Sequence, residues 1–387
     1  MVCQHSRRQW LRMAGSAAGG WAAGRLSLGE ARAQGGDYFL YAGTYTRRAS
    51  KGIYGWRLHA ADGKLEAIGL AAETSNPSFL AVHPNGRFLY AANENNNGTV
   101  SAFAIDRATG KLAALNQVSS KGSGPCHVSL DAKGKWLFVA NYNSGSIASY
   151  AVKGDGALSE AVSAVQHAGS SVNRQRQSGP HAHCVVASPD GRFLLAADLG
   201  LDEVLVYRIG GDGSLTPNDP PFGKVAPGSG PRHIAFSRDA HFAYVVSEMI
   251  PGVTVFRYDG QRGALESIQA ISSLPDDWTG AKSGAEIALK PGGAFLYSSN
   301  RGADSIAAFK VDLDRGTVRA AGRFPSGGKT PRNFAIDPTG KWLFAANQDS
   351  DSIVKFAMNA KTGALTAAGD VLEAGAPVCI VFAVAGQ

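Results

Sequence analysis

The side chains able to do chemistry in this 387-residue chain gather at one recurring point. Segments built like GPRH (Gly230–His233) recur along it, and the residues after the Pro change from copy to copy while the flanking pattern persists. These residues are Ser78, Cys126 with His127, His181 with His183, Arg232 with His233, Glu286, Arg332 with Asn333, and Val378. A second set closes the hydrophobic run that follows each of the first six: Asn93-Glu94, Asn141-Tyr142, Asp198-Leu199, Ser247-Glu248, Asn300-Arg301 and Asn347-Gln348. A scaffold needs no particular residue after a turn proline, yet His, Arg, Glu and Arg appear in succession. Guanidinium is a permanent, planar donor for carboxylate, phosphate or a developing oxyanion, whereas imidazole and carboxylate can take and return a proton near neutrality. Ionisable groups of both signs gathered over a concavity are a candidate site. The competing reading is a ring of salt bridges that only ties the copies together.

What must position them is a repeat. Aligned on Pro77, Pro125, Pro180, Pro231, Ala285, Pro331 and Pro377, the copies are spaced by 48, 55, 51, 54, 46 and 46 residues. Periods near 40–50 residues made of short alternating strands and turn signals predict an all-β, seven-bladed β-propeller. Six copies are complete. The seventh is divided between APVCIVFAV at the C-terminal side and YFLYAGTYT with GIYGWRLH at the N-terminal side, so strands from both sides of the chain close the ring and leave few exposed sheet edges. Asn85-Gly86, Asp190-Gly191 and Thr339-Gly340 read as hairpin turns. Antiparallel neighbours bring the start of one strand and the end of the next to the same edge of a sheet, which predicts that both residue sets crowd one mouth of the central channel. The Asn and Asp residues at 93, 141, 198, 300 and 347 are expected to be structural, bonding their own backbone before a turn. Two connections near this mouth are long: Gly169–Gly179, carrying Arg174 and Arg176, and Ser272–Gly284, carrying Trp278 and Lys282. Both are expected to form a rim for an anionic ligand.

The first 33 residues have another character. SRRQWLR (Ser6–Arg12), the Gly/Ala-rich Met13–Ala23 and the small residues of Ala31-Arg32-Ala33 predict a twin-arginine signal cut after Ala33, followed by one propeller domain over 34–387 and a periplasmic location. The apolar stretch is too short for a bilayer anchor, so no membrane attachment is expected after cleavage. Removing this segment takes five arginines and one glutamate from the chain totals, leaving 33 basic against 30 acidic side chains, a net of +3. No Lys/Arg-rich run remains, which argues against a nucleic-acid partner. Cys126, Cys184 and Cys379 occupy equivalent inner-strand positions and read as small apolar fillers, with at least one free thiol because three is odd. No Cys/His spacing suggests zinc, and no metal or other cofactor is expected. There is no GxSxG elbow, hence no expectation of a serine ester intermediate.

Over essentially its whole length after the signal, the chain resembles the seven-bladed propeller lactonases, the 6-phosphogluconolactonase and carboxymuconate cyclase-like family. The resemblance rests on RQRQSGPHAH (Arg174–His183), PDGRFLLAADLGLDEVLVYR, GSGPRHIAFSRDAHFAYVVSE, SGAEI, GAFLYSSNRGADSIAAF and TPRNFAIDPTGKWLFAANQDSDS. It implies a catalytic group of His183, Arg232 and Glu248 with Glu286, Arg301 and Arg332 nearby, and His183 rather than His181 facing the channel. Glu286, Arg301 and Arg332, with His181 and Asn333 of the first residue set and Arg174 of the 169–179 connection, are the substrate-binding candidates. Ser247 stands where the family usually has Asn, and Ala288 where it has His or another polar residue. The implied function is metal-independent hydrolysis of a sugar lactone by a monomer, with Arg232 at the oxyanion or an acidic substituent and Glu248 or His183 taking a proton from water. The substrate is expected to be anionic or polyhydroxylated, and unphosphorylated if the enzyme is exported. Two alternatives stand beside this: a non-catalytic propeller presenting the same mouth to a protein or cell-wall partner, and a cyclase that forms the lactone.

Overall fold

A computed structural model describes residues 36–386 except 48 and 370; the expected signal and its cleavage point lie outside the described residues. Seven antiparallel sheets follow one another around an axis. We number the blades in chain order: blade 1 over 77–119, blade 2 over 125–166, blade 3 over 182–224, blade 4 over 231–272, blade 5 over 284–325 and blade 6 over 331–373. Blade 7 combines Pro377–Val384, innermost, with Tyr38–Thr44, Gly52–Leu58 and Leu65–Glu73. Ring closure is thus an antiparallel pairing of Pro377–Val384 with Tyr38–Thr44, as the divided seventh copy predicts. Among the described residues the only helix is a single 3-10 turn at Gln348–Ser350.

The burial of each strand follows from its place between neighbouring sheets. Second strands such as Phe193–Asp198 and Phe242–Ser247 are buried at every position, because both faces of a blade's centre are covered. An outermost strand such as Leu158–Gln166 alternates half-buried with exposed residues after its first position, the period of a sheet with one wet face. Seven apolar clusters form, each at a junction between adjacent blades. One joins Phe88, Tyr90 and Val100 of blade 1 to Leu137, Val139 and Tyr150 of blade 2.

Register is broken at one repeated place. In blade 4, Pro231 pairs with Ser247 and His233 with Val246, leaving Arg232 as an extra residue. Ser78, Cys126, His183 and Arg332 are extra in the same way, Val378 is passed over between Pro377 and Cys379, and blade 5 slips between Gly284 and Ile287. A bulge of this kind re-aims side chains that strict alternation would send to opposite faces. Consecutive pairs such as Arg232-His233 therefore both serve the axis.

The Asn and Asp residues at the ends of the second strands are structural, but by a different route from the one expected. They reach back to the connection that enters their own blade. Asn93 Nδ2 donates to Ser75 O at 2.6 Å, Asn141 Nδ2 to Ser120 O and Asn347 Nδ2 to Ser326 O, each at 3.0 Å, and Asn300 Nδ2 to Ser273 O at 3.3 Å. Only Asp198 bonds its local backbone, accepting Gly200 N at 2.9 Å, and it also holds His181 N at 2.7 Å and the buried His167 ring at 2.6 Å. The long range of these bonds arises because the entering connection passes directly under the strand end.

Candidate active site

At the channel mouth the two residue sets meet as strand geometry requires. Glu248 follows the second strand of blade 4, its N–H bonded to Gly230 O at 2.7 Å and its carbonyl accepting Gly284 N at 2.8 Å. Its carboxylate is shared by three guanidiniums. Arg176 Nη2 donates to Oε1 at 2.7 Å, while Arg301 Nη2 (2.7 Å) and Arg232 Nε (3.1 Å) converge on Oε2. His183 Nε2 stands 3.8 Å from the same oxygen. Each partner comes from a different element: Arg232 from the bulge of blade 4, His183 from the bulge of blade 3, Arg301 from the end of the second strand in blade 5, and Arg176 from the connection between blades 2 and 3.

Burial opposes ionisation of Glu248, but Arg301, then Arg232 and Arg176, overcome it and hold the carboxyl at about 2. Burial presses Arg301 down to about 10 against the pull of Glu248. His183 is kept well below the ordinary imidazole value by burial and then by Arg232, His233 and Arg332. It is a neutral base at neutral pH, seated beside a carboxylate that stays charged.

Four mouth residues join the cluster beyond those expected to be catalytic or substrate-binding. Arg176 is the arginine of the 169–179 connection that reaches the cluster, through Glu248 and the Tyr142 hydroxyl at 3.0 Å; Arg174 is exposed and makes no hydrogen bond or ion pair with the described residues. An Asx turn explains the choice, since Asn173 Oδ1 accepts Gln175 N and Arg176 N, and the buried Gln177 anchors the segment to Leu199 O. Tyr142 stacks on His181 with centroids 4.6 Å apart and meets His183 edge-on at 5.5 Å. On the far side, Tyr45 donates to Glu94 Oε2 at 2.9 Å and lies under the Arg332 guanidinium at 5.4 Å. Glu94 and Tyr142 sit one residue past the recurring Asn, the spacing that marks Glu248 and Arg301, and the second residue set already placed both at this mouth. In the other long connection, Trp278 Nε1 bonds Ala281 O within its own loop, and Lys282 is exposed.

Beside Arg301, whose buried Nε has no hydrogen-bond partner among the described residues, two guanidiniums retain donors. The Arg332 side chain has no hydrogen bond or ion pair to any described residue, and Arg232 Nη2 has no recorded acceptor among them. Burial opposes the charge on Arg332, yet Tyr45, Glu94 and Glu248 raise its basicity.

Deeper in the channel, Arg232 Nη1 donates to Ala285 O at 2.6 Å and to His233 Nε2 at 3.2 Å. His233 Nδ1 lies 2.8 Å from Glu286 Oε1. Glu286 also accepts Ile287 N at 2.9 Å and Asn333 Nδ2, and Asn333 Oδ1 accepts Ile380 N at 2.8 Å. Glu286 and Asn333 thus lie one layer beneath Arg232, their hydrogen-bonding groups largely committed to protein. Cys126 and Cys184 contact His183 and His127 at 3.8 and 3.4 Å, and both are buried, unpaired thiols, as is Cys379. Among the described residues no group of three or more His, Cys, Asp or Glu is arranged to hold a metal ion.

The profile of the family described as "Lactonase, 7-bladed beta-propeller" matches residues 39–382. A 6-phosphogluconolactonase of Bacillus subtilis is 37% identical over 282 residues, covering 73% of this chain and 80% of that protein. A 6-phosphogluconolactonase of Formosa agariphila is 31% identical over 301 residues, or 75% and 84% of the two chains. Among solved structures, the periplasmic gluconolactonase PpgL of Pseudomonas aeruginosa superposes with a TM-score of 0.86 at 36% identity, over 90% of this chain and all of that one.

Proposed function

The chain belongs to the seven-bladed β-propeller lactonases and is a carboxylic ester hydrolase that opens a lactone; from that premise we propose where and how it does so. The active site is the channel mouth around His183, Arg232 and Glu248. The lactone carbonyl oxygen lies at Arg232 Nη2, where a fixed, water-poor donor stabilises the charge that develops as water attacks. His183 accepts the proton of that water. Glu248, too weak a base to do so while three guanidiniums hold it, instead stabilises the imidazolium as it forms. His183 then returns the proton to the departing alkoxide. Arg301 and Arg176 keep the carboxylate in place.

The observation that carries this reading is the uneven use of the guanidiniums: three are spent on Glu248, while Arg332 and Arg232 Nη2 are left open beside it. A polyhydroxylated lactone bearing an acidic substituent would complete the charge at Arg332. Four guanidiniums face the carboxylates of Glu248 and Glu94 at this mouth, which favours such an anion. We further propose that residues 1–33 export the protein through the twin-arginine route and that 34–387 acts as a monomer in the periplasm. The RR pattern and the likeness to a periplasmic gluconolactonase support this. No helix among the described residues is long and apolar enough to cross a membrane.

The test is proton release from a panel of sugar lactones with and without a carboxylate or phosphate. Hydrolysis is expected throughout, with kcat/KM about tenfold higher for the anions, and Arg332→Gln should erase that margin. Glu248→Gln should lose turnover by roughly 100-fold while remaining folded. A folded protein that hydrolyses nothing, or a Glu248→Gln protein as active as the parent, overturns the mechanism and leaves a binding propeller.

A further inference from the structure

Beneath the mouth, the chain Arg232–His233–Glu286–Asn333–Ile380 crosses four successive blades, and every side chain in it is buried. Its polarity is fixed at both ends. Arginine can only donate, so His233 Nε2 must be the acceptor for Arg232 Nη1, and the ring hydrogen must be on Nδ1, pointing at Glu286. At the other end Ile380 N donates to Asn333 Oδ1, which leaves the Asn333 amide nitrogen facing Glu286. Three donors, His233 Nδ1, Ile287 N and Asn333 Nδ2, therefore converge on Glu286 and no acceptor does. Only an ionised carboxylate satisfies them.

We propose that Glu286 is a positioning residue that acts through His233: its carboxylate holds the imidazole as the Nδ1–H tautomer, and that tautomer holds Arg232 with Nη2 turned to the lactone carbonyl. The inference rests on the mechanism above. One added proton reverses the chain. A protonated Glu286 donates to Nδ1, the single ring hydrogen then resides on Nε2, and Nε2–H opposes Arg232 Nη1–H. Proton count balances, with one proton taken from solvent by the pair.

Every blade contributes to the surroundings of this carboxylate. Arg232 and His233 come from blade 4, Asn333 from blade 6, His127 from blade 2, Cys184 from blade 3 and Cys379 from blade 7, while Phe79 of blade 1 packs on the His127 and His233 rings at 4.1 and 5.4 Å. Burial raises Glu286 to about 7, against the Ile287 N–H and the charge of Arg232, so the tautomer exchange falls within the working range.

The experiment follows kcat against pH from 5 to 9. The parent should lose kcat as pH falls through about 7, with KM changed less than about twofold, because a misplaced oxyanion donor acts on the transition state. Glu286→Gln cannot titrate and presents an amide N–H to Asn333 Nδ2. It should lose about 10- to 100-fold in kcat above pH 8 and lack the acid limb. The double change Glu286→Gln with Asn333→Asp restores a donor–acceptor match, since the new carboxylate accepts both the amide and Ile380 N; kcat should recover at least tenfold. Imidazole 15N spectra of the parent should show Nδ1–H for His233 above pH 7 and Nε2–H below, independently of turnover. An unchanged kcat and acid limb in Glu286→Gln, or a His233 tautomer that does not respond to pH, overturns the inference. A parent that hydrolyses no lactone defeats the mechanism instead, and the spectra still decide the role of Glu286.

Discussion

At the scale of single residues, Arg232 and Arg176 ought to respond very differently to change. Arg232 is almost completely buried and bonded to Glu248, His233 and Ala285 O through two of its nitrogens. Lysine offers one point charge in place of that planar fork. Arg232→Lys is expected to lower kcat by roughly 100- to 1000-fold with the fold intact, measured by initial rates beside a circular dichroism melt. Arg176 is about half exposed and caps only one Glu248 oxygen, which Arg232 and Arg301 leave free. Arg176→Ala should lower kcat/KM roughly tenfold, about 1.4 kcal/mol, and shift Tm by less than about 2 °C. How far these residues were legible differs for a physical reason. His183, Arg232 and Glu248 occupy repeat positions and are brought into contact by the repeat itself. Arg176 lies in a connection with no counterpart in the other blades, and which of Arg174 and Arg176 turned inward depended on the Asn173 turn, which neither periodicity nor composition encodes.

Between elements, one contact recurs at the outer edge of the ring. The hairpin before each outermost strand carries a glycine that lies on an aromatic ring of the preceding blade: Gly156 on Phe88, Gly316 on Phe242, and, across the seam, Gly63 on Trp342 and Gly110 on Phe39. At Gly156 the backbone has φ of +89°, and a Cβ there would stand 2.3 Å from the Phe88 ring. Gly156→Ala is therefore expected to destabilise by roughly 3 kcal/mol, combining backbone strain with overpacking. Gly191 has a comparable φ of +71° and open space around its Cβ, so Gly191→Ala should cost only the conformational part, about 1 kcal/mol. Urea midpoints of the two variants check the difference, and equal costs would mean that the ring contact contributes nothing. This interlock was visible as a recurring Gly-x-Leu or Gly-x-Val in the chain, though its partner ring was not. The bulge was less visible still. It leaves no signature in residue type, since Ser78, Cys126, His183, Arg232 and Arg332 have nothing in common but position, and so alternation alone misassigns which of two neighbours faces the axis.

For the molecule as a whole, the axis is where the protonation balance is set. His127, His183 and His233 are held neutral chiefly by burial, well below the ordinary value of 6.5, so their contribution to stability is lost as pH falls below 6.5. Glu286, raised to about 7 from 4.5, has the opposite sense: its contribution is full below 4.5 and is lost as pH rises through 7. Below 6.5 the unfolded chain thus takes up protons that the three rings resist, whereas between 4.5 and 7 the native state binds one at Glu286 that the unfolded chain does not. Three rings against one carboxyl make a net loss of stability on acidification. Urea titrations at pH 7, 6 and 5 measure it, and His127→Asn should lessen the loss. Stability that instead rises on acidification would mean that these rings are protonated in the native state. The fold itself was the most legible level of all, because seven copies of one pattern leave a single closed arrangement, and neither the spacing nor the split of the last copy admitted another.

That split has a consequence for assembly. Pro377–Val384 is the last strand in chain order among the described residues, yet it is the innermost strand of its sheet and the neighbour of both Pro77–Val82 and Pro331–Ile336. Without it, Tyr38–Thr44 has one unsatisfied edge and the other six blades form an open arc. The ring therefore cannot close before this strand is in place.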